Sequence, residues 1–176
     1  DKSPCFSDAK VEKYYEQPYD LEKVKIDREA WQKRLDAISD RFKADPSMNK
    51  GNVSLDYNVT RTYFVNTDGT EVVQNRRTIR IMLSVESVTP DGMTLPLMTD
   101  FFAFDPDSLP SPKVMMDAAD DLVKRMQALK AAPVANPYTG PAILSGPASG
   151  VFFHEIFGHR LEGHRLKKGG ETFKNM

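Results

Sequence analysis

The chain holds a single cysteine, Cys5, in 176 residues, so no disulfide forms within it. That fits a reducing compartment without requiring one. No apolar run is long enough to span a bilayer, so no membrane-crossing helix is encoded and no membrane partner is expected. Neither sign of charge dominates: Lys+Arg 24 stands against Asp+Glu 25, a net charge of -1. Without a basic stripe, and with no arginine run interleaved with aromatics, direct nucleic-acid binding is not expected. Histidine is scarce too, at three residues, but all three (His154, His159, His164) lie within one short segment. Hydrophobic residues at 40% and charged residues at 28% are in the globular range, and the length suits one ordinary domain or two small ones.

The chain begins at Asp1 and carries no signal-peptide pattern. It stops at Met176 just after its most chemically loaded segment. We read it as a processed or excised piece of something longer. Three stretches are expected: an irregular lead-in over 1–26, an α+β domain over 27–145, and a motif helix over 146–176 that starts a further domain.

In the lead-in, Phe6, Tyr14, Tyr15 and Tyr19 show no clean period, which suits an irregular segment with room for a short helix or strand. Trp31, Leu35, Ile38 and Phe42 then form one stripe of an amphipathic helix, with Asp27 as N-cap and Asp45-Pro46 as its end. From Val53 to Val65 apolar and polar residues alternate as in a half-buried strand, and Asn66-Thr67-Asp68-Gly69 reads as a hairpin turn. Ile79, Ile81, Leu83 and Val85 mark the return strand. Pro90-Asp91-Gly92 turns the chain again, into a strand from Met93 to Phe104. Ser111-Pro112 opens a second helix with Met115, Ala118, Ala119, Leu122, Met126 and Leu129 on its apolar face, and Pro133 blocks its continuation. Pro141 to Leu144 suggests a short strand, and Ala148 to Leu161 a final helix that is apolar on nearly every side and so expected to be buried. The whole reads as α+β: an antiparallel β-meander with helices packed on one face, ending in that buried helix.

The final helix contains His154-Glu155-Ile156-Phe157-Gly158-His159, an HExxxH spacing. Two imidazoles and a carboxylate are the residue types a catalytic zinc requires, the imidazoles as ligands and the carboxylate to take a proton from bound water. The spacing is one residue longer than the HExxH of many zinc peptidases. On a regular helix His154 and His159 would sit ~140° apart around the axis, against ~40° for an i, i+4 pair. Metal binding therefore predicts a π-bulge or kink near Phe157-Gly158. In this reading His154 and His159 hold Zn²⁺ and Glu155 is the general base. A catalytic site usually has three protein ligands. Glu162 and His164 are the nearest candidates for the third, although His164 reads better as a solvated residue among Arg160, Arg165, Lys167 and Lys168. Cys5 is chemically suitable, but nothing in its setting aims it at this helix. The competing reading is an inert polar cluster, its histidines bonded to backbone carbonyls and Glu155 paired with Arg160.

The run His154-Glu155-Ile156-Phe157-Gly158-His159-Arg160-Leu161-Glu162-Gly163, followed by Lys167-Lys168-Gly169, resembles the signature of the TldD/PmbA family of zinc metalloproteases, also called modulator of DNA gyrase. Tyr63 to Thr70 is similar to a strand-turn-strand of that family's N-terminal domain. Asp105 to Pro110 and Tyr138 to Pro141 are similar to linkers in its longer, often exported members. The resemblance implies a TldD-like metallopeptidase acting on peptides or unstructured polypeptides as a homodimer or heterodimer. It implies that His154 and His159 hold zinc, that Glu155 is catalytic, and that the third ligand is a cysteine in a domain beyond Met176. His164 stands where many members carry an acidic residue. The chain taken alone is therefore expected to be inactive and to bind zinc weakly or not at all. Export is favoured over a cytoplasmic location by the similarity to exported members. A dipeptidyl-peptidase III type of enzyme shares the HExxxH spacing, but its second glutamate-containing motif has no counterpart here. The reading from another class is a non-catalytic assembly or binding domain with an inert His-Glu-His cluster.

Overall fold

A computed structural model describes residues 11–163. The chain divides into two compact units, Asp1–Pro133 and Val134–Met176. The first holds β1 (Lys13–Tyr15), α1 (Arg28–Lys43), β2 (Lys50–Val65), β3 (Glu71–Val88), β4 (Thr94–Ala103), a 3₁₀ turn (Pro106–Ser108) and α2 (Pro112–Ala131). The fold of this unit is α+β.

Both long helices start where their caps dictate. The Asp27 carboxylate accepts the Ala30 N–H at 3.0 Å, and Ser111 Oγ accepts from Val114 with Pro112 in the first turn. Trp31, Ile38 and Phe42 of α1 and Met115, Ala119, Leu122 and Met126 of α2 are buried together with Ile79, Ile81, Leu83 and Val85 of β3. Because the buried β3 residues are all odd-numbered, both helices cover the same face of the sheet. At Gly51 a Cβ would lie 2.6 Å from Phe42 Cβ, so only glycine lets α1 approach β2 this closely.

The sheet is mixed, which corrects the all-antiparallel expectation. β2, β3 and β4 form the expected antiparallel meander, but β1 pairs parallel with β3 at Lys13↔Glu71 to Tyr15↔Val73. The lead-in had shown no strand period because three residues are too few to display one. The turns fall where glycine permits them, with Gly69 at φ 94 and Gly92 at φ 90. The β2–β3 hairpin also runs past the helices' cover. Tyr63 and Val65 continue the alternation yet are 70% and 74% exposed.

Polar side chains hold β1 to the sheet edge. Glu16 accepts the Asn75 N–H and the Tyr14 hydroxyl, and these bonds, the backbone one foremost, keep its carboxyl below its ordinary pKa. Tyr15 and then Lys13 do the same for Glu71. A carboxyl depressed in the folded state stabilises it above the unfolded pKa, and that contribution is lost as pH falls through the folded value. Acidification through the carboxylate range should therefore release β1 before the core opens. Amide exchange at Glu16, whose N–H bonds Val73 O at 2.9 Å, should lose protection while Ile81 and Leu83 keep theirs. Equal protection of β1 and the core strands throughout that range would contradict this.

In the second unit, α3 (Gly146–Ile156) is followed by a 3₁₀ turn, η2 (Gly158–Leu161). Two expectations fail here. Pro141 to Leu144 is not a strand: Pro141 has no N–H to donate, no edge among the described residues pairs with the segment, and Ile143 is fully exposed. The motif helix is not buried either, with Val151 and Phe153 each 62% exposed. A helix apolar on every side needs neighbours on every side. The described residues of this unit supply one short helix and a single turn. No helix among the described residues is long and apolar enough to cross a membrane.

Candidate metal centre

The helix carrying the motif breaks inside it. Ile156 is the last residue of α3, Phe157 leaves regular geometry at φ -118, ψ -52, and the chain tightens into η2. Phe157 N–H still bonds Phe153 O, while Arg160 N–H and Leu161 N–H both converge on Phe157 O. The expected kink near Phe157-Gly158 is present, but as a 3₁₀ tightening; the bulge with i→i+5 bonds does not form. A Cβ on Gly158 would meet His154 Nδ1 at an ordinary 3.9 Å, and the break itself falls at Phe157.

The break turns the second histidine back towards the first. The His154 and His159 rings lie 4.6 Å apart between centroids at an interplanar angle of 75°. One ligand atom from each of His154, Glu155 and His159 lies within 4.8 Å of the others. For zinc bonds of about 2.1 Å in a tetrahedron, donors sit about 3.4 Å apart, so the cluster is slightly wider than a formed shell. Two imidazoles are ligands that suit zinc, and the spacing is close enough for small side-chain rotations to bring both onto one ion with the carboxylate beside it.

Electrostatics orient the His159 ring. Glu162 Oε1 lies 2.7 Å from His159 Nδ1, and Glu155 Oε2 lies 3.6 Å from Nε2. The two carboxylates thus flank the ring at its two nitrogens, and a proton shared with Glu162 at Nδ1 would leave Nε2 for a metal ion. Residue numbering alone had offered Glu162 as a third ligand; the structure puts it behind the ring instead. The i, i+3 step from His159 was the available signal for that arrangement. Glu155 pairs with His159, and no ion pair joins it to Arg160 among the described residues. The carboxylate of Glu155 is 62% exposed and thus open to solvent and to a substrate. Cys5 and His164, the other candidate ligands, lie outside the described residues.

No family model, curated protein or solved structure matches the chain.

Proposed function

We propose that this chain carries part of the active site of a zinc-dependent metallopeptidase of the TldD-like kind, with His154 and His159 as zinc ligands and Glu155 as general base. The observation that supports this most is the convergence of the two imidazoles across a break in the helix. A five-residue spacing does not bring two rings together on an undistorted helix. Zinc held there would polarise a peptide carbonyl and acidify a bound water. Glu155 would take the proton of the attacking water and return it to the departing amine. Glu162 would hold His159 in the tautomer that offers Nε2. The third ligand is proposed to come from outside this chain, the substrate to be a peptide or unstructured polypeptide, and the working form to be a homodimer or heterodimer.

The inert-cluster reading draws support from the same contacts, because Glu155 and Glu162 already satisfy His159 without an ion. Zinc titration of the whole enzyme, with the segment that supplies the third ligand present, followed by imidazole NMR, separates the two. The peptidase reading expects His154 and His159 resonances to move together at micromolar zinc, and each to stop responding when the other is replaced by Ala. Unchanged resonances up to about 1 mM zinc, a level at which even weak sites fill, would leave only the inert cluster.

A further inference from the structure

We propose that the outer edge of β2 and the groove beside it bind an extended peptide with alternating apolar side chains and an acidic residue. The first observation is the strand register. Every pair from Lys50↔Glu86 to Val65↔Glu71 matches without a bulge, and among the described residues β2 closes the sheet on that side. Two hairpin bonds set the phase of the ladder: Asn66 N–H to Thr70 O at 3.2 Å and Thr89 N–H to Met93 O at 2.9 Å. Extended along the registers, they make even-numbered β2 residues bond β3, so odd-numbered ones aim their N–H and C=O outwards. Among the described residues, none of these outward groups from Val53 to Val65 has a partner. Edge strands are ordinarily blunted by bulges or prolines; β2 has neither.

The second observation is a groove of roughly 630 Å³ whose lining includes Val24, Ile26, Trp31, Leu35, Leu55 and Val59. Leu55 and Val59 are odd-numbered, so the face of β2 that borders the groove belongs to residues whose backbone groups are free. A strand added to this edge would continue the pleat and drop every second side chain into the apolar groove.

Charge supplies the third observation. Lys25 and Arg28 also line the groove. Lys25 is paired with Glu22 at 2.7 Å, and the Asp27 carboxylate is taken by the Ala30 N–H. Arg28 has no ion pair among the described residues, which leaves one cation for an acidic group on the occupant. Main-chain bonds would give such a site tolerance of sequence, while the groove and Arg28 would select apolar and acidic positions. The site lies wholly in the first unit and stands whether or not the metal reading does.

Trp31 lines the groove and is the only tryptophan of the chain, so its fluorescence reports occupancy. The probe is the peptide acetyl-TVTETLT-amide, whose Val, Glu and Leu share one face, added to the full chain. We expect a saturable change in Trp31 emission. N-methylation of one alternate set of peptide amides should weaken binding by about tenfold or more, whereas methylating the other set should not, because only one set faces β2. Val59→Pro removes an outward N–H without touching the β2–β3 ladder and should cost about tenfold with circular dichroism unchanged. Arg28→Glu should reverse the preference to acetyl-TVTKTLT-amide. No Trp31 response up to about 1 mM peptide, which excludes even weak association, would overturn the proposal. Equal binding of the two methylated peptides would overturn it too, as would self-association through this edge that shuts the peptide out.

Discussion

Replacing Glu155 by Ala in the whole, zinc-loaded enzyme is expected to lower peptide hydrolysis by about two to four orders of magnitude, the usual contribution of a positioned general base. Zinc content should stay the same, because the imidazoles rather than this carboxylate are the proposed ligands. The isosteric Glu155→Gln should lose activity equally, since an amide neither takes nor returns a proton. Glu155 is exposed, and its resolved ion-pair contact is the long one to His159, so neither change should unfold the chain. Activity within about tenfold of the native level in either variant would remove Glu155 from the role of base. Loss of zinc along with activity would instead make Glu155 a ligand.

The second large effect lies in the core. Ile81 is fully buried in the middle of β3, between Leu55 of β2 and Phe101 of β4 and under both helices. Ile81→Ala is expected to destabilise the first unit by about 3–4 kcal/mol, the lost transfer energy of the side chain plus that of the cavity left behind. This is a large share of the roughly 5–15 kcal/mol that hold a domain folded. Met82, one residue on, faces the side of the sheet opposite α1 and α2, and Met82→Ala should cost less than about 1 kcal/mol. Urea unfolding of the two variants measures the contrast. Equal losses would mean that the assignment of buried and open faces is wrong.

Where side chains repeat with a clear period, sequence reading anticipated the fold. The stripe Trp31, Leu35, Ile38, Phe42 and the run Ile79, Ile81, Leu83, Val85 each became one wall of the core. The caps Asp27 and Ser111 and the glycines at 69 and 92 also acted as their chemistry dictates. What escaped prediction lacks a local signal. β1 exists because Glu16, Tyr15 and Lys13 find partners some sixty residues away on β3, and no period encodes that. Burial of α3 was inferred from apolar content alone, yet burial depends on what surrounds a helix, and the described part of its unit offers little.

The candidate site was legible as a set of residue types and as a geometric conflict. A five-residue spacing required the helix to yield, and it yields at Phe157. The manner of yielding was not legible. A tightening to 3₁₀ geometry and a widening to i→i+5 bonding each reorient His159, and the choice depends on backbone bonds around Phe157 that residue types do not specify. The place of Glu162 behind the ring follows from that choice, since only after the break does its carboxylate reach Nδ1.

The central claim is that His154 and His159 share one ion. X-ray absorption at the zinc edge, recorded on the whole enzyme, third ligand included, loaded with less than one equivalent of zinc, addresses it directly. The account predicts two imidazole nitrogens at about 2.0 Å from the metal, reduced to one in His154→Ala and in His159→Ala. A shell of oxygen donors alone, or an imidazole signal unaffected by both substitutions, would contradict it.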